Sequence, residues 1–423
     1  MRDNDERMVL KPKLRFPEFR KRDGWKANTL KELTNELLDG DWIETKDQSS
    51  SGFRLIQTGN IGVGCFIAKE SKARYVSEEA FERLRCTEVF PGDCLISRLP
   101  DPAGRSCLLP DLGGRMITAV DCTIVRFKQQ KIIPYLFIAH SQTDAYFREV
   151  ASLSSGSTRQ RISRENLSQL VIALPSIPEQ QKIANCLAPL DKLIAAQEQK
   201  LAALTAHKKG LMQHLFPGDG ETTPRLRFPE FRKAPAWEER PAGRLFANRT
   251  EEGEEGLPIY SVTMTNGLVK RSSLDRSVDD IAEADGNRKA FKNDIAYNMM
   301  RMWQGASGVA VEDCMVSPAY VVLVPQTGAH SHFFAFLLKL PKYLRLLASH
   351  SQGLTKDRLR LYYRDFARIP LPSPDIHEQE KIANLLSSID GLIAAEAERL
   401  EVLKTHKKGL MQQLFPSPEE MGG

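Results

Sequence analysis

EQQKIANCLAPLDKLIAAQEQKLAALTAHKKGLMQHLFP, residues 179–217, is apolar in alternating steps of four and three. Ile183, Leu187, Leu190, Ile194, Leu201, Leu204, Leu211 and Leu215 share one seam, and Gln197 and Lys208 are its polar positions. Such spacing is a heptad repeat, which predicts one long helix with a continuous apolar stripe. EQEKIANLLSSIDGLIAAEAERLEVLKTHKKGLMQQLFP, residues 378–416, repeats it at an offset of 199. Its seam is Ile382, Leu386, Ile389, Ile393, Leu400, Leu403, Leu410 and Leu414, with Glu396 and Lys407 in the polar places.

Local chemistry agrees with two helices. Ser176 and Asp375 stand three residues before Glu179 and Glu378, the pattern of a capping box, and Pro217 and Pro416 mark the stops. Pro189 falls inside the first helix, where Ser388 stands in the second, and predicts a kink or a delayed start. A single stripe of this kind more often packs on its own domain. Two matched stripes in one chain favour pairing with each other, as a rigid spacer ~57 Å long at ~1.5 Å per residue. The polar seam residues are then either register-setting contacts or solvated points where the seam opens.

The repeat extends beyond the helices. LRFPEFRK at 14–21 recurs at 226–233, and Trp25 and Trp237 keep the same offset of 212. Each half therefore runs head, variable middle, tail, and two homologous units are the simplest reading. Within the middles, GDCLISR (92–98) echoes NDIAYNMMR (293–301), MITAVDCTIVRF (116–127) echoes MVSPAYVVLVP (315–325), and SSGSTRQRI (154–162) parallels SQGLTKDRL (351–359). Short β-branched runs such as FRLIQ, CTIVRF and YVVLV read as strands, and the stretches from Ile133 and His332 as helices. The expected fold class is α+β. Two mixed α/β domains, 1–175 and 218–372, alternate with helices 176–217 and 373–416, and a tail follows at 417–423.

Composition narrows the function. Lys and Arg exceed Asp and Glu by 5, mildly basic and compatible with a polyanion partner. Seven cysteines without a C-x-x-C pair read as reduced thiols of a cytosolic protein. The N-terminal residues are charged where a secretory signal needs an apolar run, and FFAFLLKL (333–340) is too short to span a bilayer. A cytoplasmic protein with no membrane partner is expected.

Catalytic motifs are missing. No phosphate loop occurs, the glycines of GNIGVG (59–64) are in the wrong order for a dinucleotide fingerprint, and no Asn-Pro-Pro or Asp-Pro-Pro of an amino-methyltransferase is present. His330 and His332 form an isolated pair rather than a metal set, and Glu198-Gln199-Lys200 lies inside the heptad helix. The expectation is a binding component with no catalytic residue, no metal and no cofactor of its own.

Arg159, Arg161 and Arg164 follow Gly156, as Lys356, Arg358 and Arg360 follow Gly353, in loops rich in Ser, Thr and Gln. Glycine lets backbone amides approach a phosphate, and arginine forks can take phosphate or guanine edges. A solvated basic loop explains either cluster alone equally well; the duplication favours binding. Arg98 and Arg301, which end the GDCLISR and NDIAYNMMR segments, complete the candidate DNA contacts.

The whole pattern resembles the specificity subunit of type I restriction-modification enzymes. The residues that carry the resemblance are the LRFPEF heads, RLIQTGNIGVG from Arg54, GDCLISR, GSTRQRIS from Gly156, LP-x(3)-EQ-x-x-IA from Leu174, and both KKGLMQ-x-LFP tails. The resemblance implies that each middle reads one half of a split, asymmetric site in double-stranded DNA, while the long helices pair antiparallel. It also implies partners: two methyltransferase subunits that methylate adenine with S-adenosylmethionine, and two restriction subunits that use ATP and Mg2+. A stand-alone DNA-binding regulator is the alternative. A self-contained nuclease or methyltransferase is opposed by the missing motifs.

Overall fold

A computed structural model describes residues 9–100, 102–156, 160–274, 286–355 and 358–416. The chain divides into two units, one running to Gln197 and resuming at Arg399, the other spanning Glu198–Glu398. Each unit thus combines a head, a middle, the first half of the helix that follows it and the second half of the other long helix.

In the first unit, Trp25–Thr29 lies between Val9–Leu10 and Val171–Leu174, antiparallel to both. A second sheet has the order Thr34–Asp39, Cys122–Phe127, Cys94–Ser97, Ser106–Leu108. A third runs Gln48–Ser49, Tyr75–Val76, Phe53–Ile56, Met116–Thr118, Glu88–Val89, with Phe53–Ile56 parallel to Met116–Thr118. The second unit keeps this plan under a diverged sequence. One sheet runs Phe246–Arg249, Tyr320–Pro325, Ile295–Asn298, Ser307–Val309. A second runs Leu268–Lys270, Ile259–Val262, Cys314–Val316, Arg288–Ala290, again with its parallel pair, Ile259–Val262 and Cys314–Val316, and in a third Glu238–Pro241 pairs antiparallel with Pro370–Ser373.

Local chemistry explains how different residues reach one topology. The turn before Cys94–Ser97 places Gly92 at φ 93°, and its counterpart Asn293 takes φ 74°. That left-handed conformation suits glycine and is tolerated by asparagine. The next residue repeats as well: Asp93 accepts from the Phe90 amide at 3.0 Å and Asp294 from the Phe291 amide at 2.9 Å. As the sequence predicts, helices follow late in each middle, Pro134–His140 and Asp144–Leu153 in the first, Ser331–Leu337 and Pro341–Ser349 in the second.

The long helices are Ile177–His214 and Ile376–Leu414. Pro189 sits inside the first without delaying its start, so the helix accepts the loss of one backbone hydrogen bond. None of the seam positions is exposed. In the second unit Lys200 meets Glu396 and Lys208 meets Asp390, each at 2.5 Å. One index rises as its partner falls, so the helical segments run antiparallel. In the first unit Lys407 meets Asp191 at 2.5 Å and Gln142 at 2.6 Å. The polar seam residues Lys208, Glu396 and Lys407 are therefore contacts, and Gln197 is buried.

The capping boxes are a correction. Glu179 and Glu378 do not turn back on their own helix ends but leave to clamp the heads. Arg15 donates to both oxygens of Glu179 at 2.7 and 2.8 Å, and Arg227 to both oxygens of Glu378 at 2.6 and 2.7 Å. A buried arginine brought in by the tertiary fold outcompetes the local amide, because a bidentate charged pair is the stronger bond. The next residue holds the middle. Gln180 accepts from the Ile133 amide and donates to Lys131 and Pro175 carbonyls, and Gln379 does the same with His330, Gly328 and Pro374.

The LFP endings fill the cores. Phe415 stands edge-on to Trp25 at 6.0 Å, and Phe216 edge-on to Trp237 at 6.2 Å. Each head is tied to its ending by a backbone bond, from Leu14 to the Gln413 carbonyl and from Leu226 to that of His214. Burying each phenylalanine contributes about 1.5–3 kcal/mol.

A candidate nucleic-acid interface

In the first unit three loops meet at the end of the sheet built on Cys122–Phe127. The backbone joins two of them, since the Ile162 amide donates to the Arg98 carbonyl at 3.2 Å. Arg105 joins the third. It donates to the carbonyls of Ile61 and Thr58 at 2.7 and 3.0 Å, and to those of Leu99, Pro100 and Pro102 at 3.0–3.1 Å. A planar fork with five donors suits this stapling of irregular backbone. Nothing in the sequence singles Arg105 out.

The candidate arginines divide by environment. Arg98 is buried, with its guanidinium 2.5 Å from the Val120 carbonyl and 3.4 Å from Asp39. Its place is beneath the loops, bound to the Val120 carbonyl and facing Asp39. Arg161 and Arg164 lie above it at the surface, Arg161 held by Asp121 at 2.7 Å and Arg164 near Asp39 at 3.7 Å. Arg159 lies outside the described residues, as does Lys356.

In the second unit Arg358 and Arg360 are exposed and have no ion-pair partner among the described residues. Arg301 is exposed and donates to Gln304 at 3.2 Å; beside it the Trp303 indole donates to the Met300 carbonyl. Here the sequence pairing of the two loops needs correcting. Ser155 bridges Arg161, and Gln352 bridges Arg360. Ile162 binds the Arg98 carbonyl, as Leu361 binds that of Met299. Arg161 therefore corresponds to Arg360 and not to Arg358, the second loop is two residues longer, and Arg98 corresponds to Met299 rather than to Arg301. Gly353 is required in this loop, since at φ 149° an added Cβ would lie 2.5 Å from the Arg358 carbonyl oxygen.

The electrostatics differ between the units as well. Cys122 pairs with Ser97 and Tyr320 with Asn298, so Asp121, which holds Arg161, is matched by Ala319. The first unit fixes its loop arginine with a carboxylate, and the second has no such group at that position. Among the described residues no group of His, Cys, Asp and Glu could hold a metal, and no helix is long and apolar enough to cross a membrane. The arrangement offers two surfaces of arginine, amide and hydroxyl donors on rigid sheets, suited to hydrogen-bonding a polyanion and its base edges.

A family model described as type I restriction modification DNA specificity domain matches the chain twice, at residues 22–206 and 241–405. A chain carrying the name of the MjaX type I restriction enzyme specificity subunit, from Methanocaldococcus jannaschii, is 22% identical over 417 residues, 93% of each chain. The type I restriction enzyme MjaVIII specificity subunit of the same organism is 22% identical over 316 residues, 69% of this chain and 72% of that one. The crystal structure of a type I restriction-modification system S subunit from M. genitalium shares the fold, with a TM-score of 0.63 and 15% identity over 96% of this chain and all of that one.

Proposed function

Because the chain belongs to the type I restriction modification DNA specificity domain family, we propose that it is the DNA-recognition subunit of a type I restriction-modification complex and reads a two-part, asymmetric target. The observation that carries this reading is a strand order shared by the two main sheets of each unit, one edge strand in the first unit apart, under loops of different length and charge. A shared scaffold with unlike loops suits two unlike half-sites, because base recognition lives in the side chains and not in the sheets.

In this reading residues 1–175 and 218–372 are target-recognition domains, and the helices within 176–217 and 373–416 set their separation. Arg161, Arg164, Arg358, Arg360 and Arg301, with Arg159 and Lys356, face DNA; Arg98 positions the loop that carries Arg161. The chemistry belongs to partners. Two methyltransferase subunits bring S-adenosylmethionine to adenine, and two restriction subunits use ATP and Mg2+ in the cytoplasm. The repeated KKGLMQ tails suit two like partners, since they offer the same residues twice.

The test is co-expression with a methyltransferase subunit, followed by mapping of methylated adenines in cells with and without this chain. Methylation at one bipartite asymmetric sequence that vanishes without the chain is the expected result. Methylation indifferent to the chain would overturn the reading.

A further inference from the structure

A cleft of about 250 Å3 in the first unit borders the loop that Arg105 staples and is lined by Arg54, Gln57, Asn60, Lys69, Lys72 and Arg74. Lys69, Lys72 and Arg74 are exposed and have no ion-pair partner among the described residues. The carboxylate between them in sequence, Glu70, is taken by Arg54, which donates to its two oxygens at 2.9 and 3.1 Å. Arg54 is itself 9% exposed, so a nearly buried cation neutralises the acid and leaves the three surface cations uncompensated.

The walls are fixed. The Lys72 and Ala73 amides donate back to Lys69 and Glu70 in a short 3-10 turn, the Leu55 amide donates to the Arg74 carbonyl at 2.9 Å, and Asn60 and Ile67 exchange two hydrogen bonds. At Gly59 an added Cβ would come within 2.9 Å of the Lys69 ammonium, so the missing side chain leaves that ammonium its place. Three cations held on a stitched frame cost less to order than three on a mobile loop.

We propose that this cleft binds a backbone phosphate of duplex DNA and so anchors the first unit without reading sequence. The proposal rests on the DNA-recognition role above and adds a site to it. A phosphodiester offers the charge and the acceptor oxygens that Lys69, Lys72 and Arg74 require, and such contacts set register and not base preference. The cleft is particular to this unit. Val89 pairs with Met116 as Ala290 pairs with Cys314, so the place of Arg54, the partner of Met116, is taken in the second unit by Pro258, whose carbonyl accepts from the Met315 amide. An anchor on one side would give the asymmetric reader a preferred orientation.

The experiment uses the full chain and a fluorescent duplex of about 30 base pairs with random sequence, titrated at several salt concentrations. The variant Lys69→Gln/Lys72→Gln/Arg74→Gln should lower the slope of log affinity against log salt by about 0.9, because the cleft holds one phosphate and one lost phosphate contact removes about 0.9. The loss should be equal for duplexes of different sequence. Replacement by the other cation, Lys69→Arg/Lys72→Arg/Arg74→Lys, should restore the slope, and the control Lys128→Gln/Lys131→Gln should leave it at the parental value. Should the triple variant not fold, Lys69→Gln and Lys72→Gln singly should each lower the slope by part of that about 0.9. A parent that binds duplex while these variants keep its slope overturns the cleft alone. A parent that binds no duplex at any salt overturns both the cleft and the DNA-recognition role.

Discussion

Glu179 grips Arg15 across 164 residues of sequence, with 2.7 Å to Nε and 2.8 Å to Nη2. The two side chains are 2% and 8% exposed, so neither charge has water to fall back on. Glu179→Leu should therefore destabilise the first unit by about 3–5 kcal/mol, the cost of stranding a buried charge. Arg15→Met together with Glu179→Leu should cost less than Glu179→Leu alone. Denaturant unfolding of both variants checks this; equal losses would mean that the pair is not coupled.

Lys407 and Lys208 occupy the same seam position, yet their removal should not cost the same. Lys407 is 10% exposed and serves Asp191 and Gln142, whereas Lys208 is 21% exposed and faces an Asp390 that is 45% exposed. Lys407→Met should cost about 1–3 kcal/mol, a buried-pair penalty reduced by the partial exposure of Asp191. Lys208→Met should cost at most about 1 kcal/mol. Thermal melts of the two variants decide, and a larger loss for Lys208 would contradict the burial argument.

His140 is enclosed by aromatic rings, among them Tyr146 and Phe415, and neither of its ring nitrogens has a hydrogen-bond partner among the described residues. Burial pushes its pKa down to about 4. The unfolded chain, with an ordinary imidazole, binds the proton first as pH falls. The contribution of His140 to stability should therefore be flat above about pH 6.5 and decline through pH 4, by about 3 kcal/mol once both states have titrated. His140→Leu should remove that part of the pH dependence, read as the difference between parent and variant melting curves. Parallel curves from pH 7 to 4 would show that His140 is not held neutral.

Asp121 holds Arg161 at 2.7 Å, and Ala319 stands at the matching place in the second unit. Arg161→Ala should relax base preference in one half-site by about 1–3 kcal/mol, and Arg360→Ala in the other. Asp121→Asn should loosen only the half-site served by Arg161. Competition binding against single-base variants of the mapped target measures all three. An even loss across both half-sites would assign these arginines to phosphates instead.

What the sequence made legible follows from the range of the interactions. The seam from Ile183 to Leu215 could be read because a heptad is local and repeats over many turns, and no position of either seam is exposed. The strand order could not, because runs as short as Met116–Thr118 take their neighbours from distant parts of the chain. Glu179 misled because Ser-x-x-Glu is a local pattern, while the arginine that claims the carboxylate belongs to the head. The loop pairing slipped by two residues because Gly, Thr and a basic residue align well as letters. Hydrogen bonds from Ile162 and Leu361 fix the true correspondence. Arg98 and Arg161 look alike in sequence, and burial alone separates a support from a surface contact.

Phe415 completes the core around Trp25, although it lies at the far end of the chain from it. All of Glu198–Glu398, by contrast, is contiguous. During synthesis, at roughly 5–20 residues per second, the first unit must wait roughly 10–40 s after Gln197 emerges before its last hydrophobic partners exist. The later-made unit can thus mature ahead of the earlier one, and the waiting segment is where a chaperone would be needed. A chain stopped after residue 398 should resist protease across 198–398 and be cut readily before 197; uniform resistance would show that the first unit needs no closing residues.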